Sequence, residues 1–132
     1  MASVYGYLTL ANLELFTGID YSTVDSTALA DANVEMNITT AEELINGFLG
    51  ESTAQTVTNA ITVSTKFISG WLLNSLMTSL GYSSDSPNPI FLLSWIDLIT
   101  LVRTTLEGGD QDNSVISIPM SGASYHKADS IL

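Results

Sequence analysis

The residues able to do chemistry are few, and each pattern they form lacks a part its reaction needs. His126 is the sole histidine. A Ser-His-Asp site would need its imidazole held by a third group on a rigid scaffold, and the sequence around it supplies none. Asp110-Gln111-Asp112-Asn113-Ser114 resembles the first half of a calcium loop. Val115 stands at the sixth position, where the loop needs glycine, and Ser121 at the twelfth, where it needs glutamate. Asp31 with Glu35, and Glu42 with Glu43, are paired carboxyls of the kind that do acid–base work, but no companion motif accompanies them. They read as a solvated helix face. The Asn37-Ile38-Thr39 sequon falls inside a predicted helix and reads as chance. Cysteine is absent, which excludes disulfides, thiolate catalysis and Cys-ligated zinc. The expectation is a chain with no catalytic residues, no metal and no cofactor.

Composition points to contact with other proteins. The 132 residues give room for one domain with a core of three or four helices. Fourteen acids against three bases (Lys66, Arg103 and Lys127) give a formal net charge of -11. Nucleic-acid affinity rests on Lys and Arg neutralising phosphate, so direct DNA or RNA binding is not expected, and a polybasic membrane anchor is excluded. Only 13% of residues are charged while 45% are apolar, against about 25% charged in ordinary soluble domains. So small a charge complement leaves apolar and Ser/Thr/Asn surface exposed, which suits burial against neighbouring subunits. The N-terminus lacks a basic region followed by an apolar stretch, so no signal peptide is expected. The most hydrophobic stretch, Ile90 to Val102, is interrupted by Ser94, Asp97 and Thr100, well short of the about 20 apolar residues a membrane span needs.

Four helices are expected, giving a mostly α, four-helix bundle-like domain over residues 1–108. Thr9 caps a short first helix to about Thr17, with Leu10, Leu13 and Phe16 inward and Gly18 as its stop. A second spans about Ser26 to Leu49, its apolar stripe running Leu29, Ala32, Met36, Thr40, Leu44 and Phe48, and Gly50 ends it. Ser52 or Thr53 caps a third to about Leu80, in which Ala60, Ser64 and Ser75 permit close helix approach and Gly70 marks a kink or tight contact. Asn88 and Pro89 open a fourth. Its polar stripe is Ser94, Asp97, Thr100, Thr104 and Glu107, and its other faces are so apolar that it reads as the central helix. Trp71 and Trp95 read as core or interface anchors. After Gly108-Gly109 the pattern changes to an extended arm, 109–132, with Val115, Ile116, Ile118, Met120 and Tyr125 as candidate partner-binding residues, one route being addition of a strand to a partner's sheet edge; a loose terminus is the alternative reading of the same residues.

Leu8-Thr9-Leu10, the run Phe16-Thr17-Gly18-Ile19-Asp20 and the closing Ile45-Asn46-Gly47-Phe48-Leu49-Gly50 resemble the head–tail connector (head-completion or adaptor) proteins of tailed viruses. The resemblance covers about residues 8–50 as motif and 8–108 as architecture. It implies a virion protein of the neck, a homo-oligomeric ring, commonly of twelve, between portal protein and tail protein, made in the host cytoplasm. DNA would pass through the lumen without specific binding. An acidic wall would repel phosphate and let DNA slide. Asp31, Glu35 and Glu42 are the candidate lumen- or solvent-facing acids. A tail-completion or minor capsid subunit shares the charge-poor surface without needing an acidic lumen. A soluble helical regulator that sequesters one partner is the alternative from another class.

Overall fold

Thr9 opens the first helix as its sequence position requires: its hydroxyl accepts the N–H of Asn12 at 3.1 Å, satisfying one of the amides a helix start leaves orphaned. The computed structural model describes residues 5–84, 88–108 and the backbone of 125–127. It is a small, mostly helical single domain, as expected. Helix α1 (Leu10–Thr17) ends at Gly18, whose φ of 71° suits glycine. A single turn, α2 (Tyr21–Val24), precedes α3 (Asp31–Leu49), which stops at Gly50 with φ 72°. Next come α4 (Asn59–Ser79), the short strand β1 (Tyr82–Ser84), a 3-10 helix over Pro89–Leu92 and α5 (Trp95–Gly108). Strand β2 (Tyr125–Lys127) pairs antiparallel with β1 in the register Tyr82–Lys127, Ser83–His126 and Ser84–Tyr125.

Three helix boundaries differ from expectation, each because a side chain captures backbone that the helix would have used. The second helix starts at Asp31, since the Asp25 carboxyl accepts the N–H groups of Thr27 and Ala28 and holds 26–29 as a separate turn. The third starts at Asn59, capped by Thr58. Ahead of it, the Thr53 carbonyl is taken by the Asn46 amide and the Gln55 N–H by the Tyr7 hydroxyl. The fourth begins at Asn88-Pro89 as expected, with the Asn88 side chain accepting the Ile90 N–H at 2.8 Å. It then breaks at Leu93-Ser94.

Helix α4 is the central one, packed against α1, α3, α5, the 3-10 helix and β1. The expectation that the fourth helix holds that place fails, because α5 buries only the face carrying Leu98, Val102 and Thr105. Its polar stripe does face solvent. On α3 the buried face is Val34, Ile38, Ala41 and Ile45, not the predicted stripe. Ala32 and Thr40 are exposed, and Met36 is 59% exposed. Two polar residues, Glu42 and Asn46, sit on the buried face and mask its periodicity. One core cluster joins Ala41, Ile45, Phe67, Ile68, Phe91 and Leu98. The other joins Leu13, Leu29, Val34, Ile38, Leu73 and Met77.

Gly70 is the tight contact between α4 and the 3-10 helix. A Cβ there would lie 2.3 Å from Cζ and 2.5 Å from Cε1 of the buried Phe91 ring. Gly70→Ala gains about 1 kcal/mol of helix propensity, but overpacking a filled core costs about 1–3 kcal/mol. The severity of the contact puts the cost at the upper end of that range, so a net loss of up to about 2 kcal/mol is expected as a lower urea midpoint. Phe91→Leu in the same chain should recover part of it, because the two sites share one space.

Candidate interaction surface

The corner between the 3-10 helix and α5 is built by two substituted hydrogen bonds. Breaking a helix after Leu93 leaves the Leu93 carbonyl and the first α5 amides without partners. The Ser94 hydroxyl accepts the Asp97 N–H at 3.2 Å, and the Trp71 indole N–H donates to the Leu93 carbonyl at 2.9 Å. The Trp71 and Trp95 rings meet at 5.2 Å between centroids, inclined by 54°. With Gly70 seated on Phe91 below it, the corner is fixed to the central helix. Its outer side is apolar: Leu92 is 65% exposed, Ile96 76% and Trp95 38%. Three large apolar residues within five positions form the kind of exposed cluster that marks a contact with another molecule. Sequence reading missed Leu92 and Ile96, because an apolar run interrupted only by Ser94 looks like buried helix.

A shallow recess lies farther along the same helix. A hollow of about 230 Å³ is lined by Gly47, Phe48, Leu49, Arg103, Leu106 and Glu107. It shares Leu49 and Leu106 with a second of about 350 Å³ against the 51–58 loop and the start of α4. The Arg103 guanidinium lies 5.1 Å above the centre of the Phe48 ring, a cation–π contact.

The three candidate acids do not act together. Asp31 is exposed at the start of α3 and Glu35 is half-buried. Glu42 corrects the expectation of a lumen- or solvent-facing acid, since it is 0% exposed. Its carboxyl oxygens accept the Tyr5 N–H at 3.4 Å and the Tyr7 N–H at 2.9 Å. The Tyr7 hydroxyl donates to Asn46 Oδ1, and the Tyr7 carbonyl accepts the Thr62 hydroxyl at 3.0 Å. Glu42 is thus inside because it binds the backbone of the N-terminal segment. Of the arm residues, Val115, Ile116, Ile118 and Met120 lie outside the described residues. Tyr125 belongs to β2, whose partner strand is β1 of this same chain. The described residues hold no group of His, Cys, Asp or Glu able to take a metal ion, and none of their helices is long and apolar enough to cross a membrane.

Asp31 does belong to a small acidic group at the α1–α2–α3 junction. Burial pushes the Glu14 carboxyl above its ordinary range, the Tyr21 N–H pulls it back, and the Asp20 and Asp31 charges add to the rise.

Glu42→Ala removes the acceptor of two backbone N–H groups and should cost about 2–3 kcal/mol, read as a lower urea midpoint. Limited proteolysis should then cut near residue 7 first. An unchanged midpoint contradicts this role. For Glu14, the folded chain binds the proton more tightly than the unfolded one, so stability falls as pH rises from the ordinary 4.5 through the raised folded value. Glu14→Gln lacks that loss, so its urea midpoint relative to the parent should improve from pH 4.5 to pH 7. A difference constant with pH contradicts the assignment. No protein-family model, curated protein or solved structure matches the chain, which leaves its own surface as the ground for a functional reading.

Proposed function

We propose that this chain is a structural assembly subunit that grips other protein chains through the corner of Leu92, Trp95 and Ile96, and that it does no catalysis. The observation that carries the reading is the exposure of Leu92 and Ile96 on a corner held rigid by Trp71 and Ser94. A rigid apolar anchor loses little conformational entropy on binding, which is what interface hot spots require. Within that class, the Leu8–Gly50 resemblance favours a head–tail connector: a ring subunit in the virion neck, between portal and tail. The net charge of -11 suits a wall past which DNA slides, with Asp31 among the exposed acids.

The test is sedimentation of the chain with and without the portal ring of the virus that encodes it. The reading expects the chain to bind the portal as a ring of copies. Ile96→Asp should weaken that binding at least tenfold, because a charge would be buried without a partner. Ile96 is mostly solvent-exposed, so the variant should fold normally. A chain that ignores the portal overturns the connector reading, and binding unaffected by Ile96→Asp moves the grip away from the corner.

A further inference from the structure

The connectivity of the chain sets a route past the corner. Helix α5 runs antiparallel to α4: Trp95 at its start meets Trp71, and Leu106 near its end shares a hollow with Ala60 and Ile61. Gly108 therefore lies at the end of the bundle where α4 begins, whereas β1 follows the end of α4. Along a helix of 21 residues those ends are about 30 Å apart. Strand β2 is nevertheless paired with β1. Residues 109–124, which lie outside the described residues, must therefore carry the chain from one end of the bundle to the other. The steps from Gly108 to Tyr125 reach at most about 60 Å, enough for the crossing with moderate slack.

The register of the two strands selects the side on which it crosses. Tyr125, where β2 begins, is paired with Ser84, where β1 ends, and Ser84 leads directly into the 3-10 helix at Pro89. The arm thus enters the sheet from the side of the corner. At the other end, one exposed face of α5 points the same way. Arg103, Thr100 and Ile96 are all exposed, and Arg103 and Ile96, two turns apart, face the same direction to within about 20°. The shortest path from Gly108 to β2 follows that face and passes Ile96.

We infer that residues 115–120 of this chain lie across the corner of Leu92, Trp95 and Ile96 in the free protein, so that a protein partner of the corner has to displace them. Spacing supports the assignment. Ile96 stands about 18 Å back along α5 from Gly108, a distance that extended chain covers in about six residues. That brings the run Val115-Ile116-Ser117-Ile118-Pro119-Met120 to the corner, and no other part of the arm is as apolar. In extended chain Ile116, Ile118 and Met120 share one side. Charge contributes little: Asp110 and Asp112 precede the run and pass Arg103, the single base of α5, but the exposed Glu107 opposes them. A segment tethered at both ends loses no translational freedom on docking, so a patch too small to hold a separate molecule firmly can hold this one. The cover stands on chain geometry, and only its role as a competitor rests on the proposed function.

Engineered disulfides test the cover, because the chain has no cysteine of its own. Ile96→Cys is combined in the full chain with Ile116→Cys, Ile118→Cys or Met120→Cys. The reference pairs each arm variant with Val57→Cys, an exposed position just ahead of α4. Val57 is about 18 Å or more along α4 from Trp71, beyond disulfide reach of a segment seated at the corner. An arm with no fixed seat meets both positions equally well. Under mild oxidation at least one Ile96→Cys pair should form an internal disulfide in monomeric chain at least tenfold faster than its Val57→Cys counterpart. Equal rates overturn the inference, and so does a covalent dimer in place of the internal bond. The competitor role is read from portal binding: Ile118→Asp, which puts a charge into the apolar contact, should tighten it where Ile96→Asp weakens it. Binding that Ile118→Asp leaves unchanged overturns that role. A chain that ignores the portal fails the proposed function alone, and the disulfide rates still decide the cover.

Discussion

One buried carboxyl group sets the arrangement of the other parts. Glu42 lies in the interior on the same face of α3 as Asn46, one turn away. A buried acid is tolerated only where hydrogen bonds replace its water, and here backbone N–H groups of Tyr5 and Tyr7 do so. The N-terminal segment must therefore cross α3 in one register. Once Tyr7 is placed, its hydroxyl and Asn46 hold the 51–58 loop at Gln55 and Thr53. That loop decides where α4 begins. Helix α4 in turn seats the 3-10 helix through Gly70 and Phe91, and so fixes the corner from which α5 departs. Polar groups of this kind specify one arrangement of a core more sharply than they stabilise it.

Outside that network the fold is held by apolar packing, with little help from charge. Lys66 lies 5.5 Å above the centre of the Phe16 ring and Arg103 5.1 Å above that of Phe48. Two of the three bases in the chain are thus spent on aromatic faces. Acids gather, as at Glu14, where the charges of Asp20 and Asp31 add to the rise of its carboxyl. A chain so constructed repels other acidic surfaces at long range.

What the sequence reveals divides along local and distant effects. Thr9, Gly18, Gly50 and the Asn88-Pro89 pair were legible because each acts on backbone within four residues of itself. The exposed polar stripe of α5 was legible because no distant group reaches it. The start of α4 was not, because Tyr7 and Asn46 decide it from 48 and 7 residues away. The face of α3 was misread for the same reason: Glu42 and Asn46 look like solvent residues until their partners are placed. The corner was hidden because Leu92 and Ile96 carry the side chains of a core without occupying it. The inward position of Glu42 leaves Asp31 and Glu35 as the acids of α3's predicted set that reach water.

The tryptophan pair has an optical consequence. The chain contains two tryptophans, and both stand at the corner with their rings 5.2 Å apart. All indole emission therefore originates at the corner of Leu92, Trp95 and Ile96. One indole is hydrogen-bonded to the Leu93 carbonyl and the other is partly in water, so their environments differ although they share one location. Rings this close couple electronically and give a paired circular-dichroism signal that depends on their mutual angle. The protein thus carries its own label, and occupation of the corner is visible as a spectral change without any dye attached.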